Sequence, residues 1–497
     1  MNTGEALDRD RCLRVLRARD ARFDGRFFVA VKSTRIYCRP VCAGRMPKPD
    51  NCLFFRHAAQ CERAGYRPCL RCRPELAPPC KAWSIADPDE ALAASAARRL
   101  DEADDLAGAP SAAALAARLG VGERRLRKLF DARFGASPAQ YLRTRRLHAA
   151  RQLLVDTRLP IATVAVASGF GSPRGLHAAL LRHYRTTPGR LRRPRADDEP
   201  AAVLRLGYRP PYEVEAMIGF LERRCVAGVE TIHGSGEARR YRRTLRIESA
   251  GRRHAGWIEA SFERERDRLV LRIDDGLLEV LPAVVQRVRR AFDLDADPDA
   301  IDAVLAADFP DCAGLRVPGA FDGFELAVRA ILGQQVTVAA ARTLAGRLVA
   351  RFGDPVATPH PDLDRLFPTP ARLARASPDS LGQLGIVRQR QAALIALARA
   401  VDAGELSLSP AEDPAATMHR LRALPGVGDW TAQYIAMRAL HWPDAFPAGD
   451  VALQRALGLP RSRHASGAAE LASRAWQPWR SYAVLRAWHA PRPEASR

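Results

Sequence analysis

The stretch Leu424-Pro425-Gly426-Val427-Gly428 predicts a short glycine-rich hairpin between two helical segments. Such a hairpin presents backbone N–H groups to a phosphate, because glycine has no side chain to obstruct the approach. Twenty-two residues after Gly428 stands Asp450, which follows the loop Pro447-Ala448-Gly449. The pattern therefore indicates a phosphate-contacting hairpin with one acidic side chain delivered beside it by a loop.

The net charge of the chain also favours a phosphate-containing partner. The chain has 497 residues, a formal net charge of +22 and a pI of about 10.4. Residues 1–200 carry 38 Lys and Arg against 21 Asp and Glu, and the remainder carries 40 against 35. A basic surface of this kind suits a polyanion such as nucleic acid. We expect the N-terminal part to be the stronger electrostatic binder.

The length predicts three or four domains at roughly 100 to 200 residues each. The Pro-containing stretch Ala77–Pro88 and the charged run Pro194–Pro200 are typical of linkers. We expect a multidomain protein that is mainly α with α+β parts, including strands over the alternating runs Thr244–Glu248 and Leu269–Ile273. The expected domains are a small cysteine-containing α/β domain, a mainly helical basic domain, a second small α/β domain and an all-α domain that contains the hairpin, at residues 1–80, 90–193, 202–310 and 311–490.

No apolar stretch reaches the length of a signal peptide or of a spanning helix, so we expect a cytoplasmic protein with no membrane partner. In a reducing compartment, cysteines are more often metal ligands, nucleophiles or buried small side chains than disulfides. Six cysteines lack a partner at ligand spacing and are expected to be ordinary thiols: Cys12, Cys52, Cys61, Cys80, Cys225 and Cys312.

The other four cysteines form two close pairs, Cys38 with Cys42 and Cys69 with Cys72. Two such pairs can converge on one tetrahedral ion, and four thiolates predict a single zinc. The usual interpretation of an isolated four-cysteine cluster is a structural site with no open coordination position.

Wider context changes that interpretation. The segments Phe23-Asp24-Gly25-Arg26-Phe27, Tyr37–Cys42 and Gly65–Cys72 together resemble the N-terminal methyl-acceptor domain of the Ada adaptive-response family. The resemblance implies that Cys38, while bound to zinc, accepts a methyl group from a DNA methylphosphotriester and so tightens DNA binding. It also implies DNA-backbone contacts at Thr34, Arg45 and Arg67, whereas Ala43 stands where the family has a further basic contact.

The second block contains two helix-turn-helix patterns. Residues 111–130 pair a helix with an arginine-rich helix across the turn Gly120-Val121-Gly122, and residues 161–184 repeat the scheme. With the closing Thr187-Pro188-Gly189, this block resembles the AraC-type DNA-binding domain. The basic residues expected to contact the groove or the phosphates are Arg124, Arg125, Arg127, Lys128 and Arg174; the alternative is a solvated charged helix face.

The hairpin and Asp450 resemble the helix-hairpin-helix glycosylase superfamily. Further matches at Leu206–Tyr212, Gly314–Gly319, Ala330–Gln335 and Trp479–Ala483 resemble the AlkA-type 3-methyladenine DNA glycosylases, over about residues 203–490. This resemblance implies a catalytic Asp450 and DNA contacts at Gly426, Gly428 and the wedge position, which is Gln335 here. It also implies a base pocket formed by Trp430, Tyr434 and Trp488, with His489 where the family often has Tyr.

Two absences refine the expected activity. Glycosylases that also cut the strand form a Schiff base through an amine, and no lysine follows Lys128. We therefore predict a monofunctional enzyme that releases alkylated bases of the 3-methyladenine and 7-methylguanine type. The chain also lacks the Pro-Cys-His-Arg signature of the alkylguanine methyltransferase that completes a standard Ada protein.

Three hypotheses remain open at this point. In the first, methylated Cys38 turns the N-terminal half into a transcriptional activator, with RNA polymerase as a further partner, and the C-terminal half repairs bases. In the second, the protein is a glycosylase with a purely structural zinc and helix-turn-helix targeting module. In the third, it is a regulator with an inactive glycosylase domain. We expect a monomer associated with the nucleoid and bound to double-stranded DNA.

Overall fold

A computed structural model describes residues 7–79, 88–101, 106, 108–192, 202–249, 251–460, 462 and 464–489. The predicted linker Pro194–Pro200 and most of Ala77–Pro88, including Cys80, lie outside the described residues. The chain forms two compact units. The first takes the chain up to Pro210 with Arg246–Gln286 and Leu294–Asp297, and the second takes Pro211–Leu245, Arg287–Asp293 and the chain from Pro298 onward.

The first unit begins with a small sheet of strand order β3-β1-β2-β4. The strand β1 pairs antiparallel with β2 and β3, and β2 pairs parallel with β4, with Tyr37 opposite Pro68. This parallel register brings the C-terminal ends of β2 and β4 to the same edge, where Cys38 ends β2 and the other three cysteines follow the two strands. The elements are α1 (Arg9–Ala18), β1 (Phe28–Val31), β2 (Ile36–Cys38), β3 (Cys52–Phe55), α2 (Ala58–Arg63) and β4 (Arg67–Pro68).

Among the described residues seven helices follow, and they confirm the two helix-turn-helix patterns. Hydroxyl side chains cap the helix starts, as Ser111 and Ser172 accept hydrogen bonds from the amides of Ala114 and Gly175 at 3.1 Å. Gly120, in the first turn, has φ +66°. The helices are α3 (Pro88–Asp101), α4 (Ala112–Arg118), α5 (Glu123–Phe134), α6 (Pro138–Asp156), α7 (Ile161–Ala167), α8 (Pro173–Tyr184) and α9 (Pro188–Leu191).

Both predicted alternating runs are strands. In the first unit β9 pairs antiparallel with β5 and β8, and in the second β6 pairs antiparallel with β7. Leu269, Leu271 and Ile273 alternate with more exposed residues and bury one face of β9. The elements are β5 (Ala202–Gly207), α10 (Val214–Glu222), β6 (Glu230–His233), β7 (Arg240–Ser249), β8 (Arg252–Glu263) and β9 (Arg268–Ile273).

The described residues from Leu281 onward are mainly helical, as predicted. No helix among the described residues combines the length and apolar character needed to cross a membrane. The helices are α11 (Leu281–Ala291), α12 (Pro298–Leu305), α13 (Gly323–Leu332), α14 (Val338–Phe352), α15 (Pro370–Ala374), α16 (Pro378–Gly382), α17 (Arg388–Asp402), α18 (Pro414–Arg422), α19 (Asp429–Arg438), α20 (Val451–Ala456), α21 (Ala465–Ala472) and α22 (Arg480–His489).

One buried arginine joins distant stretches of the first unit. Arg209 is 1% exposed, and its guanidinium donates to the carbonyls of Asp24, Pro78, Pro79, Asp295 and Ala296 over 2.8–3.2 Å. A buried guanidinium needs such acceptors, because leaving it without them would be unfavourable. The cysteine-rich module comprises residues 7–79. Arg209 therefore fixes its loops at Asp24 and Pro78 against Asp295 and Ala296.

Candidate functional site

The predicted hairpin joins α18 to α19. Gly426 has φ +75°, a conformation that favours glycine, and its carbonyl accepts a hydrogen bond of 2.9 Å from Gln334. Gly428 has an ordinary φ of −86°, and a Cβ atom added to it would meet nothing within 4 Å. Within the part of the chain that the structure describes, neither glycine amide has a hydrogen-bond acceptor. The fold thus accounts for glycine at 426, whereas close approach of an external group would account for it at 428.

The Asp450 carboxylate accepts three hydrogen bonds. Oδ2 accepts from Trp430 Nε1 at 2.8 Å, and Oδ1 accepts from Trp488 Nε1 at 3.1 Å. Oδ1 also accepts from the amide of Leu453 at 2.7 Å, which makes Asp450 the N-cap of α20. The helix cap and the two indoles together fix the position of both carboxylate oxygens.

The three aromatic side chains predicted for the base pocket lie in the same cavity lining as this carboxylate, and two of them contact it. The rings of Trp430 and Tyr434 stack with their centroids 5.2 Å apart and 9° between their planes. The centroids of Tyr434 and Trp488 are 6.5 Å apart with 42° between the planes. Since Trp430 and Tyr434 are already in stacking contact, a base in this site would use the ring faces that remain open to the cavity.

Asp450 and the three rings line a cavity of about 1100 Å³. His489 also lines it, while Gln335 is exposed with φ +53° and lies beside the exposed Val336. The cavity is rich in arginine, which the sequence interpretation missed. The lining arginines are Arg223, Arg224, Arg316, Arg329, Arg342, Arg438 and Arg455.

Arg438 acts directly on the predicted pocket. Its Nη1 donates to the hydroxyl of Tyr434 at 2.7 Å, a contact between positions i and i+4 of α19. Burial alone would raise the pKa of Tyr434, but the positive charges of Arg438 and Arg224 outweigh it and lower that pKa. Burial also lowers the pKa of Arg224 to about 10.

A buried group of charged side chains includes Arg329, which also lines the cavity. Arg243 pairs with Glu230 at 3.2 Å and with Glu325 at 2.7 Å, and Arg329 pairs with the same two carboxylates at 3.0 and 2.9 Å. Tyr241 adds a hydrogen bond of 2.7 Å to Glu230. Because every member has a partner of opposite charge, the group fixes β6, β7 and α13 relative to one another.

The four cysteines predicted as ligands lie together. One sulfur atom from each of Cys38, Cys42, Cys69 and Cys72 falls within 4.8 Å of the others. Tetrahedral zinc with bonds of about 2.3 Å places its sulfurs about 3.8 Å apart, so the donor set fits zinc. The five described cysteines outside the cluster form no disulfide, and Cys12, Cys52, Cys61 and Cys312 are buried.

Backbone and charge contacts surround the cluster. The amide of Arg39 lies 3.4 Å from Cys72 Sγ, and the amide of Gly44 lies 3.4 Å from Cys42 Sγ. Thr34, Arg45 and Ala43 are exposed, whereas Arg67 lies half-buried on β4.

The cluster also contacts the helix-turn-helix domain. Arg151 on α6 is 1% exposed and donates to the carbonyl of Cys69 and to Glu75, both at 2.7 Å. Arg73, next to Cys72, makes two hydrogen bonds of 2.6 Å to Asp156. The turn carrying Cys69 and Cys72 is thus attached to α6 by buried charge pairs.

A second polar group reinforces this attachment. The Glu62 carboxylate accepts from Tyr37 at 3.1 Å, Thr144 at 2.6 Å and Tyr184 at 3.2 Å, and His148 lies 3.2 Å away. Burial would raise the pKa of Glu62, but these donors and His148 prevail and lower it. Tyr37 precedes Cys38, so the helices contact the cluster beside Cys38 as well as at the turn that carries Cys69 and Cys72.

The five basic candidates on the helix-turn-helix domain are all exposed. Two of them have intramolecular partners: Arg125 pairs with Asp89 at 2.8 Å and Arg127 with Glu123 at 2.9 Å. Exposed pairs of this kind contribute little stability, so a phosphate can compete for these side chains. Arg124, Lys128 and Arg174 complete the exposed set.

Comparison with known proteins finds a relative that matches almost the whole chain. The chain is 39% identical to the probable bifunctional transcriptional activator/DNA repair enzyme AlkA of Mycobacterium tuberculosis, over 97% of this chain and 96% of that protein. The chain belongs to this bifunctional AlkA family. Four family models match in order: the metal binding domain of Ada (residues 11–75), a helix-turn-helix domain (115–194), the AlkA N-terminal domain (203–322) and the HhH-GPD superfamily of base excision DNA repair proteins (328–481).

Shorter relatives match separate parts of this family architecture. DNA-3-methyladenine glycosylase 2 of Escherichia coli is 36% identical over 57% of this chain and 96% of its own length. The bifunctional transcriptional activator/DNA repair enzyme Ada of Escherichia coli is 40% identical over 16% of this chain and 22% of its own length. The glycosylase relative matches almost completely, while the Ada relative matches through one short region.

Proposed function

We propose that the protein is a bifunctional DNA alkylation-repair enzyme and transcriptional regulator, with a glycosylase site at Asp450 and a methyl-acceptor site at Cys38. One observation carries the glycosylase assignment: a carboxylate held by two indole N–H groups in an aromatic cavity of about 1100 Å³. The matches to AlkA relatives support the same activity. The domain boundaries that we propose are residues 1–80, 90–193, 202–310 and 311–490.

The base-release reaction follows from the geometry. A damaged nucleotide leaves the DNA stack and enters the cavity, where the open faces of Tyr434 and Trp488 contact the base. As the bond between the base and C1′ breaks, positive charge develops on the sugar, and the fixed carboxylate of Asp450 stabilises it or activates the attacking water. Gly426 and Gly428 would hold the DNA backbone through their amides, and Gln335 would occupy the gap in the duplex.

The proposed enzyme is monofunctional. A strand-cutting glycosylase needs an amine that forms a Schiff base, and no lysine follows Lys128 in the sequence. The cations that line the cavity are guanidinium groups, which remain protonated and do not act as amine nucleophiles. The expected product is an abasic site in an uncut strand.

Cys38 is the proposed methyl acceptor, and the sulfur cluster supports it. Zinc, when bound to the four sulfurs, would keep them deprotonated at neutral pH. The Cys38 sulfur attacks the methyl carbon of a methylphosphotriester, and the methyl–oxygen bond breaks with its electron pair remaining on the phosphate. Four thiolates around a dication carry a formal charge of about −2, which methylation reduces to about −1. Repulsion from the DNA backbone then falls, and the contacts at Thr34, Arg45 and Arg67 strengthen.

The buried contacts of Arg151 and Arg73 with the cysteine turn support a joint DNA-binding surface with the helix-turn-helix domain. Arg124, Arg125, Arg127, Lys128 and Arg174 are its proposed contacts. Promoter DNA and RNA polymerase are the proposed partners of the methylated form, and we propose a monomer that works in the nucleoid.

The glycosylase assignment is tested by base release from duplex DNA containing 3-methyladenine. We expect release by the unaltered protein and none by Asp450→Asn, in which asparagine keeps the helix cap. Asp413→Asn is the matched control, because Asp413 caps α18 in the same way outside the cavity. Equal release by Asp450→Asn, or no release by the folded unaltered protein, would contradict the assignment.

The acceptor assignment is tested by methyl transfer from DNA carrying methylphosphotriesters. We expect one methyl group per chain on Cys38, located by peptide mass analysis, together with tighter promoter binding. No methyl transfer by the folded, zinc-loaded protein would favour the purely structural alternative for this module. Transfer to a different residue would contradict the role of Cys38, and transfer with no change in DNA affinity would contradict the effect on DNA binding.

A further inference from the structure

The Tyr434 hydroxyl is held in an unusual hydrogen-bonding arrangement. Its oxygen accepts a hydrogen bond from Arg438 Nη1 at 2.7 Å. The same guanidinium donates through Nε to the carbonyl of Pro318 at 2.7 Å and through Nη2 to that of Gly319 at 3.2 Å. Arginine is a donor only, so Arg438 cannot accept the hydroxyl proton of Tyr434.

That proton has no acceptor among the described residues. Tyr434 is half-buried and lines the cavity that also contains Asp450. Because Tyr434 contributes to the cavity lining, its hydroxyl proton is available to a group that enters the cavity. A molecule in the cavity would therefore supply the acceptor that this hydroxyl lacks.

Charges around the phenol make it a strong donor. Arg438 lies on the same helix, Arg224 follows α10, and Arg329 lies on α13. Burial opposes ionisation of Tyr434, but these three cations prevail, so its pKa lies below the ordinary value of 10.0. Among the described residues that line the cavity, the acidic side chain is Asp450, which accepts hydrogen bonds from Trp430 and Trp488.

We propose that the Tyr434 hydroxyl is a catalytic hydrogen-bond and proton donor to the departing base. This inference rests on the proposed glycosylase function. The bond between C1′ and the base nitrogen breaks, its electron pair passes to the base, and Tyr434 gives its proton to a ring nitrogen or oxygen. Water adds to C1′ and releases a proton through Asp450 to solvent, while the Tyr434 phenolate, paired with Arg438, regains a proton from solvent.

The donor matters most for a base that carries no positive charge. An alkylated purine such as 7-methylguanine is already cationic and leaves as a neutral molecule. An uncharged purine such as hypoxanthine leaves as an anion unless it receives a proton during bond cleavage. The cations around Tyr434 stabilise a leaving group that carries negative charge, such as hypoxanthine. They do not stabilise a leaving group that departs neutral, such as 7-methylguanine.

Single-turnover release of hypoxanthine and of 7-methylguanine, from otherwise identical duplexes, tests this role. Tyr434→Phe keeps the ring stacked on Trp430 and removes only the hydroxyl. We expect hypoxanthine release to fall about 100-fold, and the ratio of hypoxanthine to 7-methylguanine release to fall at least about 10-fold. Tyr482→Phe is the matched control, because that hydroxyl bonds Asp293 at 2.9 Å outside the cavity, and it should leave the ratio unchanged.

A pH profile separates proton donation from packing. In the unaltered protein, hypoxanthine release should fall at alkaline pH as Tyr434 loses its proton, and Tyr434→Phe should lose this alkaline decrease. An unchanged ratio in Tyr434→Phe, or no hypoxanthine release by a protein that releases 7-methylguanine, would overturn the inference. Failure of the unaltered protein to release 7-methylguanine would instead refute the glycosylase function itself.

Discussion

In the four-cysteine cluster, Cys38 ends β2, and the other three cysteines lie in the short turns that follow the neighbouring strands β2 and β4. Asp450, by contrast, is held by Trp430 on α19 and Trp488 on α22, which lie 20 and 38 residues away. The cluster is thus determined by local spacing and one strand register. The carboxylate site depends on the packing of three helices, and sequence spacing does not encode its hydrogen bonds.

The largest effect is expected when one ligand of the four-cysteine cluster is removed. In Cys42→Ala one of four sulfur ligands is lost, and we expect loss of bound zinc with unfolding of the cysteine-rich module. Binding of structural zinc contributes on the order of 10 kcal/mol to small domains, more than such a module gains from its core. Zinc content and proteolysis within residues 7–79 measure this, with Cys225→Ala as the control; retained stoichiometric zinc in Cys42→Ala would contradict it.

A smaller effect is expected when one hydrogen bond to the Asp450 carboxylate is removed. Trp488→Phe keeps an aromatic ring but removes the N–H that bonds Asp450 at 3.1 Å. Hydrogen bonds to charged groups contribute about 1.5–3 kcal/mol, so kcat for 3-methyladenine release should fall about 10- to 100-fold. Trp476→Phe removes an equivalent indole bond, to Asp308 at 2.7 Å, and should leave kcat unaffected. Equal losses of kcat in the two variants would refute a positioning role for Trp488.

The smallest effect concerns the hairpin, where the two glycines should behave differently. Gly428→Ala meets nothing in the fold, so we expect unchanged thermal stability and DNA affinity weakened about 10-fold by the added methyl group. Gly426→Ala places a side chain at φ +75°, which should lower the free energy of unfolding by about 1 kcal/mol. Thermal melts and DNA titrations at fixed salt separate the two; stability loss in Gly428→Ala would contradict the assignment.

Much of the fold could be predicted from the sequence. Spacing identified the cysteine cluster, and the turn glycines and arginine-rich helices identified the two helix-turn-helix patterns. The alternating runs at Thr244–Glu248 and Leu269–Ile273 are strands, because one face of each is buried. These features depend on residues close in sequence, which propensity and periodicity describe well.

The hydrogen bonds and charges around Asp450 were harder to predict from the sequence. Trp430 and Trp488 were predicted as base-pocket aromatics, yet their N–H groups donate hydrogen bonds to Asp450, a role that depends on ring orientation. The arginines of the cavity were missed because they come from several distant helices and loops. Only Arg438 had a usable signal, since it stands four residues after Tyr434 on the same helix.

Arg209 has a consequence for how the chain acquires its structure during synthesis. Its acceptors lie as far back as Asp24, 185 residues earlier, and as far forward as Ala296, 87 residues later. A module made first on the ribosome can bury its own core early, but these bonds close only after residue 296 has emerged. The amino-terminal module therefore reaches its final set of contacts only when more than half of the chain has been translated.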